Sequence, residues 1–129
     1  MALRITLKPH ERVIVGAAVL RNGAVRANLT IDNQVPVLRE SDILSPAAVH
    51  TPCERVYMAL QLLYLAPESD GSSLETYRSL VADVLQAAPS TRALIAAMDT
   101  YVAAGQHYQA LKCARGLLEH ERRLLTHVH

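Results

Sequence analysis

The hydrophobic period changes once along this chain, and the change falls between Gln34 and Pro52. Before it, apolar and polar residues alternate as they do in strands; after it, apolar residues return every three or four positions, as they do in helices. Thr51-Pro52-Cys53-Glu54 joins a capping residue, a proline at the first helical position and an acid three residues after the cap, so a helix starts there. Arg39-Glu40-Ser41-Asp42 sits at the junction and is the first place to look for function. A chain of 129 residues, 50% hydrophobic, holds one domain or two tightly packed halves. The expected class is α+β: a strand half over residues 1–45 and a helical half over residues 46–129 packed on it.

In residues 2–8, Leu3, Ile5 and Leu7 alternate with Arg4, Thr6 and Lys8, which predicts a half-buried strand with one basic face. Pro9-His10-Glu11 reads as a turn. Arg12 to Arg21 reads as a second strand, buried on both sides, with Gly16 marking a bend or bulge. Asn22-Gly23 is a two-residue hairpin signal leading into a third strand, Val25 to Ile31, and Asp32-Asn33 turns the chain into a fourth, Val35 to Arg39. The result is a four-strand antiparallel meander. Such a small sheet has open edges and an apolar face, which helices or a second copy of the chain must cover. A homodimer is one way to cover it, and helices are the other.

Four helices follow. Pro52 to Ala66 is apolar almost all round apart from Glu54, Arg55 and Gln61, as suits a buried central helix. After a loop from Pro67 to Gly71, Ser72 to Glu75 offers a second capping box before a helix broken at Pro89-Ser90. A third helix ends near Gly105. The last runs from His107 to Leu125, and its apolar positions Leu111, Leu118 and Leu125 recur every seven residues, a spacing suited to docking a helical partner. Thr126 to His129 are expected to fray.

Composition excludes several classes. The longest apolar run, Val56 to Ala66, is too short to span a bilayer, and the first residues lack the apolar core of a signal peptide; a cytoplasmic protein without membrane contact is expected. Cys53 and Cys113 are too few and too distant for a disulfide framework or zinc knuckle, and Cys53 is expected to be buried. His127 and His129 read as solvated side chains rather than metal ligands. With no nucleophile motif, phosphate loop or dinucleotide fingerprint, neither an enzyme nor a bound cofactor is expected. Glu40 and Asp42 read as salt-bridge partners or caps.

The charge is uneven. Residues 1–40 carry six Lys or Arg against three acids, and the remainder carries seven against nine. The cations Arg4, Lys8, Arg12, Arg21, Arg26 and Arg39 all fall in or beside the strands. Solvated charges that keep sheet edges from pairing are the plain reading. The preference for arginine also suits forked hydrogen bonds to phosphates and guanine edges. Since the first Phe, Tyr or Trp is Tyr57, RNA on this sheet would be held without stacking on such rings, by Arg4, Thr6, Lys8, Arg12, Arg26 and Arg39, with the Thr30 hydroxyl and strand-edge backbone groups beside them. The five tyrosines read as core and interface residues.

The chain also resembles the flagellar biosynthesis repressor family, FlbT. The resemblance rests on Leu7-Lys8-Pro9 with Glu11-Arg12, Gly16-Ala17, Asn22-Gly23 with Arg26, Asn33, Val37-Leu38-Arg39-Glu40 and Asp42-Ile43. It continues through Pro46, Thr51-Pro52, Arg55 with Tyr57, Tyr64-Leu65, Tyr108 with Ala110-Leu111, Arg115 and Glu121. His10 stands where that family usually has glycine, and Ala24-Val25 replaces a more polar segment. The resemblance implies a cytoplasmic post-transcriptional regulator that acts on the leader of flagellin mRNA and works with the small flagellar protein FlaF. More faintly, Lys8, His10-Glu11 and Val35 to Glu40 are similar to the first turn and last strand of the carbon storage regulator CsrA, with Thr6, Lys8 and Arg39 at RNA-contacting positions and Leu7 where an arginine would be expected. The alternative is a protein-only adaptor or chaperone that docks FlaF or flagellin through Leu111, Leu118 and Leu125.

Overall fold

A computed structural model describes residues 2–67 and 71–126. The chain divides into two compact units, Met1–Ile43 and Leu44–His129. Among the described residues the first holds five strands and the second four α-helices, the α+β class the sequence predicts.

In the first unit, β1 (Leu3–Leu7) pairs antiparallel with β4 (Ala27–Ile31), so that Arg4 faces Thr30, Ile5 faces Leu29 and Thr6 faces Asn28. Alternation then separates two faces. Ile5 and Leu7 turn inward with Val13, and Leu29, Ile31, Val15 and Val37 pack around them. Arg4, Thr6, Asn28 and Thr30 remain exposed.

The other strands form a second sheet in the order β3-β2-β5, from β2 (Arg12–Val15), β3 (Ala18–Arg21) and β5 (Val37–Arg39). This corrects the four-strand meander. The expected single strand over residues 12–21 folds back on itself, pairing Val15 with Ala18 around Gly16-Ala17. Gly16 has φ +59°, a left-handed conformation that glycine adopts without cost, and its amide donates to Pro36 O at 2.8 Å. Nor is β3 buried on both sides, since all of its residues are exposed. Asn22-Gly23 is not the hairpin turn, because β3 and β4 do not pair. Instead the Asn22 amide donates to Lys8 O at 2.8 Å and Val25 O at 3.0 Å, fastening the end of β1 to the segment that enters β4.

A single 3-10 turn, Glu40–Asp42, closes this unit, and another, Pro46–Ala48, precedes the helices. The helix α1 (Pro52–Leu65) starts as read from the sequence: Thr51 Oγ1 accepts from the Glu54 amide at 3.1 Å, and Glu54 Oε1 accepts from the Thr51 amide at 3.0 Å. From α4 (His107–Thr126), Glu121 Oε2 accepts the Cys53 amide of the same first turn at 3.1 Å. A carboxylate there satisfies a donor that the helix cannot use and complements the positive end of its dipole.

The expected capping box at Ser72 is replaced by an N-cap at Gly71, from which α2 (Ser72–Ala87) starts with no side-chain cap bond. A 3-10 turn, Pro89–Thr91, runs straight into α3 (Arg92–Ala103). Past α3, Gly105 has φ +74° and donates to Val102 O while Gln106 donates to Tyr101 O, the paired bonds that close a helix through a left-handed residue. α1 packs between α2 and α4, and α3 packs on α4. Val56, Leu60, Tyr77, Met98, Leu111 and Leu117 are among the buried side chains. Gln61, the polar interruption in α1, is also buried: its amide accepts from Leu44 N at 2.8 Å and donates to Leu44 O at 3.0 Å.

Candidate nucleic-acid interface

The cations of the first unit occupy two environments. Arg4 and Lys8 lie exposed on and just after β1, on its outward side with Thr6. Arg26 lies exposed one residue before β4, continuing the alternating row of Asn28 and Thr30. These three cations carry no salt bridge among the described residues.

Arg12 and Arg39 are held by acids. Arg12 Nε approaches Glu40 Oε1 at 3.2 Å, and the Arg12 amide donates to the same oxygen at 3.1 Å. The backbone and side-chain bonds from Arg12 hold the Glu40 carboxyl below the usual carboxylate range. Arg39 Nη2 meets Glu11 Oε2 at 3.4 Å, and it also donates to the carbonyl of Thr6. That places a guanidinium against β1 at the residue midway between Arg4 and Lys8. Glu11 is engaged twice, because its Oε1 also accepts the Lys8 amide at 2.8 Å. Between them lies His10, at φ +62°, with its amide donating to Gly23 O at 2.9 Å. The position where the related family usually has glycine is thus one that needs a left-handed backbone.

Of the six expected RNA-contacting residues, Arg4, Thr6 and Lys8 share one outward strand face, Arg26 extends the partner row, and Arg39 reaches the same strand from the other sheet. Arg12 stands apart, paired in register with Arg21 and neutralised by Glu40. Asn28 belongs to this surface, and Glu11, mostly buried, holds Arg39; neither was among the expected site residues. Asn28 stood in the polar half of the β4 alternation, while the Glu11 and Arg39 pair spans 28 positions and leaves no local signal.

In the helical unit the expected docking row is split. Leu111 is 2% exposed, so it belongs to the protein's own core; Leu118 is half-buried and Leu125 is 57% exposed. A seven-residue spacing drifts around a helix of 3.6 residues per turn, and the first turn of α1 and the turn before α3 meet α4 at Glu121 and His120, so that α4 runs on past both contacts. Tyr57 and Tyr77 are buried, as expected, and Tyr64 packs on Tyr108 with ring centroids 5.5 Å apart. Burial pushes the Tyr77 hydroxyl up, and it donates to Asp99 Oδ1 at 2.6 Å. Cys53 is buried, as expected. His127 and His129 lie outside the described residues. Among the described residues no helix is long and apolar enough to cross a membrane.

Residues 3–125 match the family described as flagellar protein FlbT. The chain belongs to that family. A relative in Bradyrhizobium diazoefficiens, named "Probable flagellum biosynthesis repressor protein FlbT 1", is 46% identical over 125 residues, covering 96% of this chain and 85% of the relative. An FlbT of Rhodopseudomonas palustris (strain TIE-1) is 35% identical over 126 residues, covering 98% and 99%. The flagellum biosynthesis repressor protein FlbT of Caulobacter vibrioides (strain ATCC 19089) is 32% identical over 130 residues, covering 99% and 92%. No solved structure matches the chain.

Proposed function

We propose that this FlbT-family protein regulates flagellin synthesis after transcription, in the cytoplasm, by binding the leader of flagellin mRNA and controlling its translation or stability. The relatives' names, flagellum biosynthesis repressors, favour a negative sign. The observation that carries the reading is the Arg4, Lys8 and Arg26 group, exposed on one side of the β1–β4 pair and unneutralised among the described residues, whereas Arg39 is taken up by Glu11. Cations without acids are available to phosphates, and with no Phe, Tyr or Trp in the first unit, charge and hydrogen bonding are the main means of grip.

The test is a gel-shift titration of the purified chain against a flagellin leader across a salt series. Binding weakens as salt rises, and Arg4→Ala with Lys8→Ala weakens it further and flattens the salt slope by about one for each phosphate no longer neutralised. Unchanged affinity in the double variant overturns the reading.

A second reading, a protein-only adaptor that docks FlaF or flagellin, is favoured by Leu124 and Leu125, two leucines exposed beside Arg123 in the last turn of α4. Under it, Leu125→Asp abolishes regulation and the charge changes on β1 do nothing. A homodimer would use the β3 edge, where Val19 is 65% exposed.

A further inference from the structure

The outward face of the β1–β4 pair holds more than phosphate binding calls for. Phosphate oxygens only accept hydrogen bonds, so a surface built for them alone needs donors and positive charge. Here Arg4 and Thr30 face each other in register, as do Thr6 and Asn28, and together they line an open hollow of about 290 Å³. It holds one guanidinium, two hydroxyls and one carboxamide, with no carboxylate or ring among its lining residues.

Thr6 Oγ1 donates to Asn28 Oδ1 at 2.9 Å, which fixes the carboxamide and turns its Nδ2 donors away from that bond. The lone pairs of Thr6 and Thr30 and the second lone pair of Asn28 Oδ1 remain able to accept. The row therefore offers acceptors and donors side by side, next to cations. In a nucleic-acid backbone, the group that both donates and accepts beside a phosphate is the ribose 2′-hydroxyl. Same-face residues on a strand recur about every 6.7 Å, a spacing on the scale of successive sugars in an extended single strand.

We infer that the Thr6, Asn28 and Thr30 row reads the ribose 2′-hydroxyl, so that this surface separates single-stranded RNA from DNA of the same sequence. The inference rests on the RNA-binding reading above and adds the polynucleotide class that the surface selects. Arg4, Lys8 and Arg26 supply attraction common to both polymers; the neutral row supplies the discrimination.

The experiment titrates the full chain by fluorescence anisotropy with one single-stranded flagellin-leader sequence made as RNA, as DNA and as 2′-fluoro RNA, which keeps the ribose-like pucker but cannot donate. The wild type binds RNA about tenfold or more tightly than either analogue, the scale of one or two net hydrogen bonds. In Asn28→Ala with Thr30→Val, the RNA-to-DNA affinity ratio falls towards one, with folding checked by circular dichroism. Equal, salt-sensitive binding of wild-type protein to RNA and DNA overturns this inference and leaves the phosphate reading standing. Equal binding of RNA and 2′-fluoro RNA, or an undiminished ratio in the variant, also overturns it. No binding to any of the three overturns the RNA-binding reading itself.

Discussion

Arg39 donates through Nη2 to the carbonyl of Thr6, joining two sheets that share no strand ladder. The same nitrogen meets Glu11, whose side chain is only 12% exposed, so one cation fastens the sheets and compensates a mostly buried acid. Arg39→Ala leaves that acid and a strand carbonyl short of partners. It is expected to lower unfolding free energy by about 1–2 kcal/mol in urea titrations, whereas Lys8→Ala, at an exposed cation, changes it by less than about 0.5 kcal/mol. Loss of RNA affinity in Lys8→Ala at unchanged stability then separates binding from folding.

Gln61 clamps both backbone groups of Leu44 from inside the helical unit. Gln61→Leu keeps the volume and strands an amide and a carbonyl, at a cost of about 2 kcal/mol. Gln61→Glu also removes the donor to Leu44 O. Thermal melts will show both below the wild type.

His10 occupies a left-handed backbone conformation. His10→Gly removes that strain, less the extra entropy that glycine gives the unfolded chain, and is expected to raise stability by about 0.5–1 kcal/mol. His10→Val lowers it, since a β-branched residue tolerates positive φ worst. Chemical denaturation of the three proteins checks the order.

Glu54 accepts hydrogen bonds from the amides of His50 and Thr51, and these lower its pKa from 4.5. A carboxyl with its folded pKa below its unfolded one adds stability that is full above the unfolded value and disappears as pH falls through the folded value. Melting temperature should therefore drop on acidification below about pH 5, with a shallower drop in Glu54→Gln, which cannot titrate. The comparison runs from pH 7 to pH 3.

Burial, with Glu121 nearby, pushes the Cys53 thiol up to about 12. Thiolate is the reactive form, so iodoacetamide at pH 8 is expected to leave Cys53 unmodified in the folded protein and to label it in denaturant. Peptide mapping by mass spectrometry reads the outcome.

The helices were largely legible in the sequence because their starts are written locally: Thr51, Pro52 and Glu54 lie within one turn, and the structure forms both bonds of the box they predict. The alternation of Leu3 to Lys8 likewise showed which side chains face out. The hairpin at Gly16 was not legible. Residues on either side are equally apolar, so the period does not mark the reversal, and Asn22-Gly23 was the stronger turn signal. Asn22 is there because its amide can reach carbonyls 14 and 3 positions away, a tertiary use that mimics turn chemistry. The pairing of Arg12 with Glu40 and of Arg39 with Glu11 joins residues 28 apart, and it decides which cations stay available. Charge composition alone could not distinguish them. For α4, spacing gave an apolar face, but Leu111 lies within the stretch that the other helices cover and Leu125 lies past Glu121, where α1 begins.

The outer margin of β3 also governs how the protein can be handled. Ala18 to Arg21 present backbone amides and carbonyls along one side with no neighbouring strand among the described residues, and two of them, Val19 and Leu20, carry exposed apolar side chains. An open edge of that kind is a template for pairing between copies, so titrations belong at low micromolar concentrations, where bound polymer is more easily told from clumping in a slow-moving band.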